Sequence, residues 1–218
     1  MALADRLDTL VGIFGIGQSP TGSKDPFALR RASLAAIRIL LAFAPNARLD
    51  AVLTIAAQSF ATGQLSADVV TTVKAYLLDR LPAHYEEQGI SIDTLRSVTS
   101  VGTESLGDID LRTLAVAEFA GSEAADALAA ANKRVANILA KVDELVPEIN
   151  TSYFDAPAEI ALHASLDDCK RALVGAVAER DYAKALAHLS ALRDDVDQFF
   201  DSVLVNAENT AVRLNRLA

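Results

Sequence analysis

The run Tyr182-Ala183-Lys184-Ala185-Leu186-Ala187-His188-Leu189-Ser190-Ala191-Leu192-Arg193-Asp194-Asp195-Val196-Asp197-Gln198-Phe199-Phe200-Asp201-Ser202-Val203 decides the fold class. Tyr182, Ala185, Leu189, Leu192, Val196, Phe199 and Val203 recur in alternating steps of three and four without a slip. That is the spacing of one face of an α-helix, and it cannot line one face of a strand. It predicts a helix over 181–203. Working outward, residues 122–142 place Leu128, Ala131, Val135, Ile138 and Val142 on one side, and 157–179 are rich in Ala and Leu with Pro157 near the start. A last helix is expected from Asn206 or Ala207, with Val212 and Leu217 in phase. It reaches the final residue without a stop signal, which reads as a segment of a longer protein.

The N-terminal half follows the same period. Asp25 suits an N-cap and Pro26 a first helical position, where a missing N–H costs nothing. They open a predicted helix carrying Phe27, Leu34, Ile37 and Leu41, closed by Pro45 and Asn46. Further helices are expected over 49–60, after Ser66 with Val69, Val73, Tyr76 and Leu77 in phase, and from Ser91 or Asp93 after Gly89. Pro82 should end or kink the helix that follows Ser66. The β-branched run 69–73 sits inside helical spacing and is not counted as a strand. Residues 99–110, rich in Gly, Ser, Thr and Asp, are the expected linker. The sequence thus predicts an all-α helical bundle in two helical subdomains, with no internal repeat.

Composition excludes whole classes of function. The 218 residues are 51% hydrophobic, too apolar for a disordered chain. One Cys excludes a disulfide scaffold and a cysteine zinc site. No apolar run approaches the ~20 residues that a membrane span needs. Residues 1–10 carry Asp5, Arg6 and Asp8 and do not read as a signal peptide, so a cytoplasmic setting without membrane partners is expected. Net charge is −9, yet residues 1–45 are net basic. Local fields, not the sum, decide whether a phosphate backbone is tolerated.

Candidate chemistry is sparse. The stretch Gly12 to Lys24 invites a phosphate-loop reading, but Ser23 separates Gly22 from Lys24, and Asp25 stands where a Ser or Thr should meet magnesium. Asp5 and Asp8 lack imidazole partners nearby, since His84, His163 and His188 are far along the chain with no paired-ligand spacing. No metal site and no catalytic residue is assigned. Cys169 precedes Lys170 and Arg171 but has no evident partner. The basic clusters carry more. Lys133, Asn137 and Lys141 recur every four residues opposite the apolar stripe of 122–142, with Arg134 beside them. Three cations and an amide on one face suit phosphates and bases; an ordinary solvated face would look the same. Arg30, Arg31 and Arg38 form a second cluster, and Arg213 with Arg216, three residues apart, a third.

The stretches Ala4-Asp5-Arg6-Leu7-Asp8-Thr9-Leu10-Val11-Gly12-Ile13-Phe14-Gly15-Ile16-Gly17 and Asp25-Pro26-Phe27-Ala28-Leu29-Arg30-Arg31-Ala32 closely resemble the β subunit of bacterial heterotetrameric glycyl-tRNA synthetase. The resemblance continues through Ala129-Ala130-Ala131-Asn132-Lys133-Arg134-Val135-Ala136-Asn137-Ile138-Leu139-Ala140-Lys141, then 199–208 and Arg213-Leu214-Asn215-Arg216-Leu217. The last block is shared with the DALR-type anticodon-binding domain of arginyl-tRNA synthetase. The resemblance implies a C-terminal part of that subunit. Residues 1–20 would end an HD-like domain, with Asp5 or Asp8 at its final acid; 21–105 would be a helical connecting region; 106–218 would be a DALR-type bundle whose closing helix runs on past Ala218. It also implies that the parent complex is a ligase using ATP and magnesium, that activation belongs to the α subunit, and that this part holds no cofactor and no aminoacylation site. Glycine tRNA and the α subunit become the expected partners, with no role for DNA. Lys133, Arg134, Asn137, Lys141, Arg213 and Arg216 become the expected tRNA contacts. The alternatives are a helical scaffold joining the two subunit types without touching the anticodon and an HD-type phosphohydrolase, which here lacks its histidines.

Overall fold

The computed structural model describes residues 1–21, 24–102, 105–142 and 148–218. Gly22 and Ser23 of the glycine-rich stretch and Thr103 and Glu104 of the expected linker lie outside the described residues. The fold is all-α: among the described residues β pairing is limited to the single bridges Thr21 with Lys24 and Arg48 with Ser105. The chain forms two compact units, Met1–Ala117 and Glu118–Ala218.

The first unit is built on α1 (Ala2–Gly15), α2 (Leu29–Phe43), α3 (Leu49–Ala57), α4 (Val69–Leu78), α5 (Leu81–Glu86) and α6 (Ile92–Thr99), followed by the start of α7 (Leu106–Ala120). Its core is mainly aliphatic. Leu10, Val11, Ala36, Ile37, Leu53, Val73 and Leu77 are fully buried at the shared face of α1 to α4. Side chains of this size contribute about 1.5–3 kcal/mol each when removed from water. Gly12 and Gly15 belong to α1 and do not form a loop. A Cβ on Gly15 would stand 2.3 Å from Leu65, so this position is glycine for packing.

Local chemistry moves several expected boundaries. Asp25 does cap α2, its carboxylate accepting from Leu29 N–H at 2.8 Å and Arg30 N–H at 3.0 Å. The helix nevertheless begins at Leu29, three residues beyond Pro26, because Ala28 turns the chain in the left-handed region with φ 56°. Pro82 sits in the first turn of α5, after α4 has stopped. Ser91 caps α6 through Thr94 N–H. The expected linker is helical from Leu106 onward: Leu106 and Ile109 are buried in the first unit's core, and Gly107 N–H donates to Pro45 O at 3.0 Å. The compact division consequently falls inside α7, after Ala117, and not at 105.

The second unit contains α8 (Glu123–Leu139), a 3₁₀ turn (Thr151–Tyr153), α9 (Pro157–Ala178), α10 (Tyr182–Ser190), α11 (Arg193–Ser202) and α12 (Thr210–Leu217). α10 and α11 both pack on α8 and α9. The helix expected over 181–203 is thus interrupted. Leu192 N–H reaches Leu189 O, a three-residue step, while Ala191 and Leu192 keep right-handed dihedrals. The tightening leaves the apolar period almost unshifted, so the sequence pattern runs through it. The final helix starts at Thr210, later than the sequence suggests, because the Asn209 side chain accepts from Ala211 and Val212 N–H and sets the start there. The core is small: Ala158, Phe199 and Val203, with Leu162, Phe200 and Val205 against them, and α8 buries no side chain completely.

A Cβ at Gly107 would stand 2.5 Å from the Pro45 carbonyl oxygen, a backbone atom that cannot swing aside. Gly107→Ala is expected to destabilise the first unit by about 1–3 kcal/mol, as overpacking does, while the neighbouring open position Gly102→Ala is expected to strain only its own left-handed turn (φ 73°). Chemical denaturation followed by circular dichroism checks the order, with Gly107→Ala the more damaging.

Candidate nucleic-acid interface

α8 carries the predicted basic ridge, and its local sequence explains the helix. Ser122 accepts from Ala125 N–H, Glu123 and Asp126 lie in the first turn where the helix dipole favours acids, and the body is alanine-rich. The ridge faces an open cleft of about 500 Å³ within the second unit. Its walls are Arg134, Asn137, Ile138 and Lys141 with Val142 from the α8 side, and Asn206, Arg213 and Leu217 from the other. Three of the predicted cations and the predicted amide therefore converge on one concavity. Asn206 joins them without having been singled out from the sequence; only its position in the block 199–208 hinted at it.

The cations differ in how they are held. The guanidinium of Arg134 lies 4.2 Å from the centre of the Phe200 ring and donates to the Phe200 carbonyl oxygen at 3.4 Å. A guanidinium has five N–H donors, so this contact orients the plane and leaves most of them for a ligand. Lys133 is exposed on the same ridge, one turn before Asn137, and does not line the cleft. Among the described residues Lys133 and Lys141 have no ion pair.

Arg216 is elsewhere, and the expectation that it contacts phosphate is corrected here. Its side chain is 8% exposed. Nε donates to Glu159 Oε1 at 2.8 Å, one terminal nitrogen donates to Leu204 O at 3.0 Å, and the other meets Asp155 and, at 3.3 Å, Glu159. The buried Glu159 carboxylate also accepts from the N–H groups of Asp155 and Ala156, both at 2.9 Å. Burial pushes the Glu159 carboxyl up, but Arg216 and the two backbone donors outweigh it and hold it well below the usual carboxylate range. The preceding residue, Asn215, is buried and accepts from Asn150 N–H at 2.7 Å. These bonds pin α12 to the start of α9 and to the 3₁₀ turn.

The second basic set, in the first unit, is also divided. Arg38 pairs with Glu87 at the surface, where exposed pairs contribute little. Arg30 is half-buried, and Arg31 remains exposed. His84 is held below its ordinary range by burial and by the charge of Arg38. Cys169 is a buried free thiol against His188 O. Among the described residues no three His, Cys, Asp or Glu side chains gather as a metal site, and no helix is long and apolar enough to cross a membrane.

Comparison with known proteins agrees with this division. The family described as glycyl-tRNA synthetase beta subunit matches residues 1–100, and the DALR anticodon binding domain matches residues 128–218, the segment that holds the cleft. The glycine–tRNA ligase beta subunit of Ectopseudomonas mendocina (strain ymp) is 46% identical over 219 aligned residues, which cover the whole of this chain. Those of Pseudomonas fluorescens (strain Pf0-1) and Azotobacter vinelandii (strain DJ / ATCC BAA-1303) are 45% and 44% identical over the same span. The chain belongs to the glycyl-tRNA synthetase β-subunit family. It spans 32% of the length of these curated relatives. The family's DALR portion begins on α8, upstream of the ridge, and runs through Arg213 and Arg216 to the last residue.

Removing Arg216 strands a buried carboxylate. Arg216→Met is expected to destabilise the second unit by on the order of 3 kcal/mol, seen as an early, separate thermal transition. Glu159 has a lowered pKa in the fold, so its contribution is present above the ordinary carboxylate pKa and is lost as pH falls through the folded value. Acid titration of the unfolding free energy should show a loss beginning below about pH 4.5 that is smaller in Glu159→Gln than in the parent.

Proposed function

We propose that this chain is the anticodon-arm-binding part of a glycine–tRNA ligase β subunit, supporting ATP-dependent glycylation of glycine tRNA in the cytoplasm. The observation that carries the reading is the convergence of Arg134, Asn137, Lys141, Asn206 and Arg213 on one cleft inside the segment matched by the anticodon-binding family. Lys141 and Arg213 are placed for backbone phosphates, which fix register, and Lys133 extends the same field along α8. The Arg134 plane, steadied by Phe200, suits stacking on an unpaired base, and the amides of Asn137 and Asn206 can each donate to and accept from a base edge. Glycine activation with ATP and magnesium falls to a partner α subunit in this reading.

Scaffolding of the subunits is a second reading with one specific observation behind it. Ile160, Val174 and Val177 on α9 are 59%, 73% and 46% exposed, an apolar face that a partner subunit could cover. Co-elution with the α subunit on a sizing column, retained without tRNA and lost in Ile160→Ser with Val174→Ser, is the result that reading requires.

For the tRNA reading, Lys133→Ala with Arg134→Ala, and separately Lys141→Ala with Arg213→Ala, are expected to weaken binding of a glycine tRNA transcript about tenfold or more. The slope of log K against log salt should flatten by roughly 0.7–0.9 for each phosphate no longer engaged. Arg48→Ala, whose guanidinium lies on Asp50, should change neither. A gel-shift titration at several salt concentrations checks this, and unchanged affinity and slope in both pairs removes the cleft from the interface.

A further inference from the structure

A second cleft, of about 470 Å³, opens in the first unit between α1 and the start of α2, lined by Arg6, Thr9, Phe27, Ala28, Arg31 and two small alanines. Three observations there point the same way. The first is positive charge without an ion pair. Among the described residues the side chains of Arg6 and Arg31 have no ion pair, and Arg6 Nε is shut off from solvent with no acceptor. A buried donor without an acceptor is costly, and an anion entering the cleft supplies what it lacks. Asp25, on which the charge of Arg31 acts, is already engaged by the N–H groups of Leu29 and Arg30. The second is an exposed aromatic ring. Phe27 is 43% exposed at the lip of the same cleft, in a chain with few aromatics. The third is backbone strain at the same place. Ala28 holds the left-handed conformation, φ 56° and ψ 34°, which a residue with a Cβ rarely adopts. That turn delays the helix and keeps Phe27 and Arg31 as parts of one lining. Backbone strain of this kind clusters at active sites and ligand clamps.

We infer that this cleft takes one nucleotide of an RNA strand, its phosphate between the guanidiniums of Arg6 and Arg31 and its base against the Phe27 ring. Arginine pairs phosphate bidentately, and a ring that stacks on any base is sequence-tolerant. An acidic peptide would satisfy the cations but would leave the exposed ring without a role, which favours the nucleotide. Thr9 also lines the cleft; its hydroxyl donates to Asp5 O at 2.8 Å, which leaves the oxygen to accept from a ribose hydroxyl. The inference extends the RNA-binding reading of the chain, but it uses only residues of the first unit and stands or falls separately from the cleft on α8.

The test uses the full 218-residue chain, a glycine tRNA transcript and a fluorescent single-stranded RNA of about eight nucleotides, within the site sizes such platforms cover. Arg6→Gln with Arg31→Gln is expected to weaken binding of both probes about tenfold and to flatten the salt slope by roughly 0.7 for each phosphate no longer engaged. Phe27→Leu, which keeps an apolar side chain, should weaken binding about fivefold or more with the salt slope unchanged, because stacking carries no counterion release. Arg96→Ala, on an exposed helix face beside Asp93, should alter neither. Matching circular dichroism melts separate a weakened interface from a weakened fold. Full affinity and slope in the arginine pair overturns the inference. So does competition by polyglutamate as effective as that by the RNA strand, which assigns the cleft to an acidic protein segment, or displacement by free mononucleotide at micromolar concentration, which assigns it to a small ligand. Repeating the arginine pair in the Lys141→Ala, Arg213→Ala background keeps the two sites distinct. A loss there with no loss from the background alone rejects the α8 cleft and retains this one.

Discussion

The pairing of Arg216 with Glu159 holds the second unit together in a way its apolar residues cannot. Two charged side chains are withdrawn from water, and each is fully engaged: the guanidinium by Glu159, Asp155 and a carbonyl, the carboxylate by the guanidinium and two backbone N–H groups. Burying ions is expensive, and such a pair stabilises only when its remaining donors and acceptors are met, as they are here. Its larger effect is geometric. A carboxylate at the start of α9 and a guanidinium near the end of α12 can satisfy these bonds in few arrangements. That fixes the helix from which Arg213 projects into the cleft, and it fixes Leu217 on the cleft wall.

The two units thus rest on different physics. In the first, fully buried Leu, Ile and Val side chains from four helices meet in one cluster, and polar links such as Tyr85 to Asp110 at 3.0 Å decorate its margin. In the second, the fully buried apolar set is short and the linkages are ionic or amide: Arg216 with Glu159, Asn215 with Asn150, and Ser165 with Asp195 at 2.5 Å. An aliphatic core loses little as pH or salt changes, whereas carboxylate-centred links depend on ionisation. The unit that carries the α8 cleft is the one whose cohesion follows solution conditions.

The fold class was legible because three-and-four spacing survives local irregularities. It survived even the tightened turn at Ala191 and Leu192, where both residues stay right-handed. Boundaries were less legible where a side chain could cap from several residues away, as Asp25 does across a left-handed Ala28 and as Asn209 does for α12. The ridge on α8 could be read because one helix sets its own faces. Arg213 and Arg216 could not be separated in the same way. Three residues advance a helix by about 300°, leaving the pair about 60° apart, enough to put one side chain in the cleft wall and the other beneath the surface. The role of Asn206, in a bend between α11 and α12, had no periodic signal at all. The first-unit cleft escaped for a related reason, since Arg6 and Arg31 are brought together only by the packing of α1 on α2.

α8 combines the densest predicted contact surface with the shallowest seating, since no side chain along its length is completely withdrawn from solvent. The energy needed to open a segment locally scales with the apolar contacts it must break. Amide protons of α8 should therefore exchange well before those of α1 and α4. Whatever ordering a ligand imposed on so lightly seated a helix would be deducted from its observed affinity.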